Sequence, residues 1–319
     1  VLRQKRTAAY FGRGETGRAL MIGVLHGQGA DLDALFTGDG HAPAPLSVEE
    51  RTFPDAPEDR ATRLNLPDWL LPLFDAALGE KADVAAIALQ ERGPICLRVN
   101  TARIKVSAAQ EILAEDGVQP HSNPLADAAL MVTEGTRRIR NSRAFIDGYV
   151  ELQDAASQAV VAALPQGGRV LDYCAGGGGK ALALAMDLSR QITAHDIDPR
   201  RMSDLPPRAE RAGVEISMAD TEQAKAGSPY DLVLCDAPCS GSGAWRRAAE
   251  GKWTLTADRL TELTTIQDQI LDTAASLTAS QARVEAFLIR HPEWKVIRMD
   301  RHDVTSDGDG FFSAQLTRE

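Results

Sequence analysis

Cysteine is scarce in this chain: four in 319 residues, at Cys96, Cys174, Cys235 and Cys239. None forms a C-x-x-C pair, so no zinc site and no other metal is expected. Four are also too few for a disulfide framework in a chain of this size, which points to a reducing, cytoplasmic setting. No apolar run approaches the ~18 residues of a membrane span, and no signal peptide is visible. Basic excess is absent too. The net charge of −10 argues against binding nucleic acid by bulk attraction, though not against local basic patches. There is no internal repeat and no low-complexity tract, and the expected state is a monomer. The first residue is Val1 rather than Met, so the expectation is that the true start is missing.

The length predicts two or three domains. Up to about residue 90 the chain reads as helical. Glu15–Leu25, Asp68–Leu78 and Lys81–Arg92 are helix candidates, and Gly38–Arg60 is a Pro/Gly/acid-rich connection. The pattern changes at Gly93-Pro94. Ile95–Asn100 reads as a strand, Ser107-Ala-Ala-Gln110 as a capping box opening a helix that Gly117 closes, and Ala128–Thr133 as a strand. This predicts a small α+β module over 91–150. From 151 to 319 strands and helices alternate. Strands are expected at Arg169–Tyr173, Gln191–His195, Val214–Met218 and Tyr230–Cys235, with helices at Asp154–Leu164, Lys180–Ser189 and Pro199–Ala212. That is an α/β, doubly wound, Rossmann-like parallel sheet, whose ligands bind outside the carboxyl ends of the strands.

Each of those four strands ends in a chemically pointed residue. The first runs into Asp172-Tyr-Cys-Ala-Gly-Gly-Gly-Gly-Lys180, the second into His195-Asp196, the third into Asp220 and the fourth into Asp236. The glycine loop fails as a P-loop, because Cys174 and Ala181 stand where Gly and Ser/Thr are needed. It meets a G-x-G-x-x-A dinucleotide pattern at Gly176, Gly178 and Ala181. It equally suits a loop whose backbone approaches the amino-acid end of S-adenosylmethionine, and a plain tight turn is the remaining reading. Asp196, about twenty residues on, can accept the ribose hydroxyls of either cofactor. Asp220 would face the adenine side.

The stretch Asp231-Leu-Val-Leu-Cys-Asp-Ala-Pro-Cys-Ser240 separates these readings. A dehydrogenase has no use for acid-Ala-Pro-Cys at a strand end, whereas an enzyme that modifies cytosine does. Carbon-5 of cytosine becomes nucleophilic only after a thiolate adds to carbon-6. A carboxyl group must then hydrogen-bond the ring nitrogen or amino group as charge develops. Asp236 and Cys239 have the residue types and placement for this. Cys96 and Cys235 lie within apolar strands and read as core filler. Two basic groups remain, Arg137, Arg138, Arg140 and Arg143 in one and Arg246, Arg247 and Lys252 in the other. Alone, either reads as solvated surface.

Together these segments resemble the RNA (cytosine-5) methyltransferases of the RsmB/Nop/Sun family, from about residue 93 onward. Pro94-Ile-Cys-Leu-Arg-Val-Asn100 resembles the family's P-x-x-L-R-V-N segment, and Phe145–Gln158 its F-x-x-G-x-x-x-x-Q-D-x-A-S-Q segment. Cys174–Lys180 resembles C-A-A-P-G-G-K, with Gly176-Gly177 in place of Ala-Pro. Asp236-Ala-Pro-Cys-Ser240 matches the fourth motif, and Asp309-Gly-Phe-Phe312 the C-terminal D-G-F-F strand. The resemblance implies a class I methyltransferase sheet. It also implies S-adenosylmethionine contacts from Cys174, Ala175, Gly176, Gly177, Gly178, Gly179, Lys180, Asp196, Asp220 and Asp236. The 91–150 module would bind RNA, with Arg137, Arg138, Arg140 and Arg143, and further on Arg246 and Arg247, as phosphate contacts. Residues 1–90 look like the remnant of a NusB-like domain. That combination points to small-subunit ribosomal RNA as substrate.

The sequence departs from the family again at the attacking cysteine. By the resemblance, Cys239 helps release the product, and the attacking cysteine belongs to a T-C-S motif on the fifth strand. No cysteine follows Cys239. A helix expected over Asp258–Ala279 runs straight into a second over Ala282–Ile289, where a doubly wound sheet should return through a strand. Trp294–Met299 and Phe311–Leu316 then read as the last strands. The expectation is a break between Ser280 and Gln281, with roughly 15–25 residues absent. The alternatives are an RNA- and cofactor-binding protein without its nucleophile and, on the glycine pattern alone, an NAD-dependent oxidoreductase.

Overall fold

The computed structural model describes residues 1–278, 294–302, 304–305, 307–309 and 311–318. The chain separates into two compact units, 1–93 with 244–257, and 94–243 with 258–319. The three segments drawn from sequence do not follow this division. The stretch after the D-A-P-C-S motif is built into the first unit, and the α+β module shares one unit with the parallel sheet.

In the first unit, helices Lys5–Phe11 and Gly17–Gly27 cross closely. A Cβ at Gly23 would lie 1.9 Å from the Ala8 carbonyl oxygen, so only glycine permits that approach. No helix or strand falls between Leu35 and Arg60, as the composition predicts. The segment Ala244–Ala257 is tied down by side-chain hydrogen bonds to carbonyls at the start of the chain. Lys252, fully buried, donates to the Arg3 carbonyl (3.0 Å), and the Trp253 indole donates to the Leu2 carbonyl (2.7 Å).

The second unit opens with an antiparallel sheet. Its strands are β1 (Ile95–Val99), β2 (Gln119–Ser122), β3 (Ala129–Glu134) and β4 (Val150–Leu152), in the order β2-β3-β1-β4. Leu97 and Val99 of the central strand are fully buried with Leu113, Val118 and Leu130. The helix Val106–Glu115 supplies Ala109 and Leu113 to this core and ends just before Gly117, at φ +75. The capping-box expectation is corrected here. Lys105 is the N-cap and no side chain caps the helix, because Ser107 already lies inside its first turn. Pro120 escapes the usual penalty against proline in strands because β2 is an edge strand.

The parallel sheet follows, with β5 (Gly168–Asp172), β6 (Arg190–His195), β7 (Ser217–Ala219) and β8 (Leu232–Leu234) in the order β7-β6-β5-β8. Successive side chains alternate between faces. Val170, Leu232 and Leu234 pack with the helices Gly179–Leu184 and Leu205–Ala212. Leu171 and Val233 pack on the other face with Ala224, Ala274 and Leu277, from the helices Thr221–Ala226 and Ala257–Leu277. The helix expected over Pro199–Ala212 is split in two, a single-turn element Pro199–Met202 and the helix Leu205–Ala212. Pro206 and Pro207 lack the N–H a continuous helix would need and fit only at its start.

The sheet order reverses at β5. Connections run from β5 through β6 to β7 on one side, while β8 lies on the other, so a crevice opens between the carboxyl ends of β5 and β8. Thr278, straight after the long helix, forms a parallel bridge with Tyr230, whose N–H donates to the Leu277 carbonyl (2.9 Å). The expected break between Ser280 and Gln281 lies outside the described residues. Strands β9 (Trp294–His302) and β10 (Phe311–Arg318) pair with each other as an antiparallel ribbon. The segment before β10 reaches the Asp154 helix start, where the Asp309 N–H donates to the Asp154 carboxylate (3.2 Å).

Candidate active site

The glycine loop joins β5 to the helix Gly179–Leu184 in the crevice. Gly176 (φ +51) and Gly178 (φ +79) occupy left-handed backbone. A Cβ on Gly178 would come within 2.3 Å of the Leu205 side chain. The loop is therefore thin and close-packed, with Gly177 exposed at its tip.

Asp196 holds the loop from the next strand end. Its carboxylate is almost fully buried and accepts the N–H groups of Gly176 (2.9 Å) and Asp198 (3.0 Å). It also pairs with the Arg201 guanidinium at 3.1 Å, and Arg201 is more than half exposed. Sequence reasoning did not foresee this covering arginine. Other supports were missed as well. Arg98, buried on β1, and Gln153 both donate to the Gly179 carbonyl (2.9 and 3.1 Å), so the small sheet braces the loop's exit. Arg208 donates to the Gly177 carbonyl and pairs with Glu151 at 3.3 Å. A buried arginine between apolar neighbours, as in Leu97-Arg98-Val99, was the available signal.

Lys180 and Asp236 meet across the crevice, with Nζ 2.6 Å from Oδ2. Lys180 is about one-tenth exposed and Asp236 nearly half. Beneath them lies Asp172, fully buried, whose carboxylate oxygens make no hydrogen bond of good geometry. Burial pushes its carboxyl up to about 7; the Lys180 ammonium opposes that shift and the Asp236 carboxylate adds to it. In the sequence Asp172 stands only as the strand end before the glycine loop, with no role given to it.

The cysteines separate by environment. Cys239 is exposed, with Sγ accepting from the Gly241 N–H at 3.4 Å, while Cys96 and Cys235 are buried, as apolar filler should be. Cys174 is partly buried, and desolvation, together with Asp172, Asp196 and Asp236, pushes its thiol up to about 12. Cys174 is therefore a thiol at neutral pH and a poor nucleophile.

Asp220 is exposed at the end of β7 and caps the helix Thr221–Ala226. It accepts from the Gln223 N–H (2.8 Å) while the Gln223 side chain accepts from its own N–H (2.9 Å). Arg137, Arg138 and Arg140 are exposed on the turn Thr136–Asn141, with no ion pair among the described residues. Arg143 is committed to Glu115 (2.8 Å) and Asp116 (2.9 Å). The second basic group needs correction. Arg246 is buried at 3% exposure and donates to the Arg92 carbonyl, so it presents no phosphate-binding surface. Only Arg247 of that pair is exposed.

A thin glycine loop at the switch point of a parallel sheet, with acids at the neighbouring strand ends and a D-A-P-C turn opposite, defines a class I methyltransferase domain. Residues 159–285 match the family described as 16S rRNA methyltransferase RsmB/F, and residues 66–137 match an RsmF/B-like, ferredoxin-like domain. Ribosomal RNA small subunit methyltransferase B of Xanthomonas campestris is 33% identical, over 70% of this chain and 57% of that protein. Its counterpart in Vibrio cholerae is 30% identical, over 81% of this chain and 67% of that protein. A methyltransferase homolog protein from Pyrococcus horikoshii has the same fold, with a TM-score of 0.68 at 23% identity, covering 81% of this chain and 97% of that one. The chain belongs to the RsmB/Nop/Sun family of ribosomal RNA methyltransferases. It spans between about half and two thirds of the length of these two curated relatives. Among the described residues, no helix is long and apolar enough to cross a membrane.

Proposed function

We propose that this chain carries the S-adenosylmethionine and RNA sites of an enzyme that methylates carbon-5 of cytosine in small-subunit ribosomal RNA. The observation that carries the reading is the meeting of the glycine loop, Asp196, Lys180, Asp236 and the D-A-P-C turn at one crevice, in a chain of this family. S-adenosylmethionine, when bound, supplies the electrophilic methyl group. The cradle fits such a group: glycines leave backbone without side chains at the crevice, and the Asp196 carboxylate stands at the end of the second strand, where ribose hydroxyls are taken. Arg201 swings away from Asp196 to admit them, which its exposure allows. Cys174–Lys180 line the amino-acid side and Asp220 the adenine side.

Asp236 receives the hydrogen-bonding edge of the cytosine ring, stabilising charge that develops when a thiolate adds to carbon-6. Cys239, exposed beside it, helps expel the added thiol once the carbon-5 proton has left. The attacking thiolate belongs to a strand that follows Thr278 beside β8, in a segment absent from this sequence between Ser280 and Gln281. Arg137, Arg138 and Arg140, with Arg247 as a further contact, take phosphates. A cytoplasmic, monomeric protein goes with this reading.

The test is incubation of small-subunit ribosomal RNA with methyl-labelled S-adenosylmethionine, alongside calorimetry with S-adenosylmethionine and with NAD. Binding of NAD in place of S-adenosylmethionine would overturn the assignment. One observation favours a second reading, an RNA- and cofactor-binding protein without chemistry: no cysteine follows Cys239. Cofactor and RNA binding without methyl incorporation by the complete gene product would select it.

A further inference from the structure

Asp172 stands out as a fully buried acid at the edge of the crevice. Its oxygens make no hydrogen bond of good geometry, and it sits at the end of the central strand directly before the glycine loop. An unmatched carboxylate in such a place costs stability and persists only with a compensating role. The groups acting on it come from the helix after the loop and from the ends of β6 and β8. Lys180, from the helix after the loop, is the strongest favourable charge. Asp236 after β8 and Asp196 after β6 repel it, and Cys174 in the loop lies within their field. The Ala181 backbone N–H lends slight support. Two carboxylates thus face one ammonium, and the ammonium is seated on the more exposed of them, Asp236.

We propose that Asp172 is a positioning residue that acts through Lys180: its carboxylate is a second seat for the Lys180 ammonium, which moves there when a substrate base takes the Asp236 edge. This rests on the reading of Asp236 as the base-binding carboxylate. Lys180 on Asp236 blocks the acceptor oxygen that the cytosine amino group needs. Lys180 cannot retreat into an apolar core, because an unpaired ammonium there is prohibitively costly. Ionised Asp172 makes the retreat possible, and protonated Asp172 leaves Lys180 on Asp236. Base binding therefore gains with pH as Asp172 ionises.

The first test does not depend on the activity. Carbon-13 NMR of the aspartate carboxyls follows the Asp172 titration in the wild type, Asp236→Asn, Lys180→Met and the double variant. Asp236→Asn lifts the Asp236 repulsion and also releases Lys180 to Asp172, so the midpoint is expected to fall by at least one pH unit, and by clearly more than the same substitution lowers it in a Lys180→Met background; an equal fall in the two backgrounds would overturn the second seat. Lys180→Met is expected to raise it. A midpoint unmoved by Asp236→Asn would overturn the second seat, whatever the chain catalyses. The second test uses Asp172→Asn in RNA methylation by the complete gene product. The pH-dependent rise in kcat/KM for RNA is expected to disappear, with a tenfold loss at pH 8.5 and about twofold at pH 6. A parallel loss at every pH, or loss of cofactor binding by calorimetry, would overturn the positioning role. If the wild-type product methylates no RNA while the NMR shifts appear, the functional reading fails and the second seat stands.

Discussion

Replacing Asp196 by alanine probes the cofactor site where the geometry is most explicit. The carboxylate accepts two backbone N–H groups, from Gly176 and Asp198, and pairs with Arg201. Its removal leaves the Gly176 N–H in a buried loop without an acceptor, at about 1–3 kcal/mol. The Arg201 pair adds less than about 1 kcal/mol, since Arg201 is more than half exposed to screening solvent. Stability should therefore fall by a few kcal/mol at most, lowering Tm by roughly 2–4 °C per kcal/mol for a unit of this size. Cofactor binding loses more specifically. Charge-assisted hydrogen bonds to ribose hydroxyls are worth ~1.5–3 kcal/mol, which predicts a Kd raised about ten- to a hundredfold. Asp196→Asn separates the two effects, because it keeps an acceptor for Gly176 but not the charge. Calorimetric titration with S-adenosylmethionine and a thermal melt on the same samples read both. A lowered Tm with unchanged affinity would refute the ribose assignment and leave Asp196 as a brace for the loop.

Three further outcomes are expected. Brief iodoacetamide treatment of the native protein at pH 7.5 should label Cys239 ahead of Cys96, Cys174 and Cys235, read by peptide mass spectrometry; fast labelling of Cys174 would contradict its raised thiol. Alanine at Arg137, Arg138 or Arg140 should weaken RNA binding across sequences and reduce the salt slope by about 1 each, while Arg143→Ala should act less on RNA because Glu115 and Asp116 already neutralise it. Finally, Asp172 titrates higher in the fold, at about 7, than in the unfolded chain. Its contribution is therefore intact below the unfolded pKa and is lost as pH rises toward 7, by up to about 1.4 kcal/mol per pH unit. Asp172→Asn should thus gain stability relative to wild type from pH 4 to 7 in urea titrations, and a constant difference would contradict the burial argument.

What the sequence revealed was local. The helix beginning at Asp154, the helix end at Gly117, and the strands read at Arg169–Tyr173 and Tyr230–Cys235 are signals carried by a few adjacent residues, and the fold follows them. What it concealed depends on distant partners. The run at Arg246, Arg247 and Lys252 looks like solvated surface, yet Arg246 and Lys252 are buried because carbonyls of Arg92 and Arg3 receive them. The same holds in the crevice. Asp196 and Asp236 were legible as acids at strand ends, whereas the cations seated on them, Arg201 and Lys180, are set by loop geometry. The edge strand Gln119–Ser122 went unseen because proline and polar residues mask a strand whose pairing comes from β3. The family resemblance supplied roles that spacing alone left open among a methyltransferase, a dehydrogenase and a plain turn.

The central claim is tested most directly by the fate of the methyl group. Small-subunit ribosomal RNA is incubated with the complete gene product and S-adenosylmethionine bearing a deuterated methyl, then digested to nucleosides for mass spectrometry. The account predicts label in 5-methylcytidine, and, in Cys239→Ser, an RNase-sensitive covalent adduct on a denaturing gel. Label on another base or on ribose, or 5-methylcytidine formed with no cysteine dependence, would contradict it.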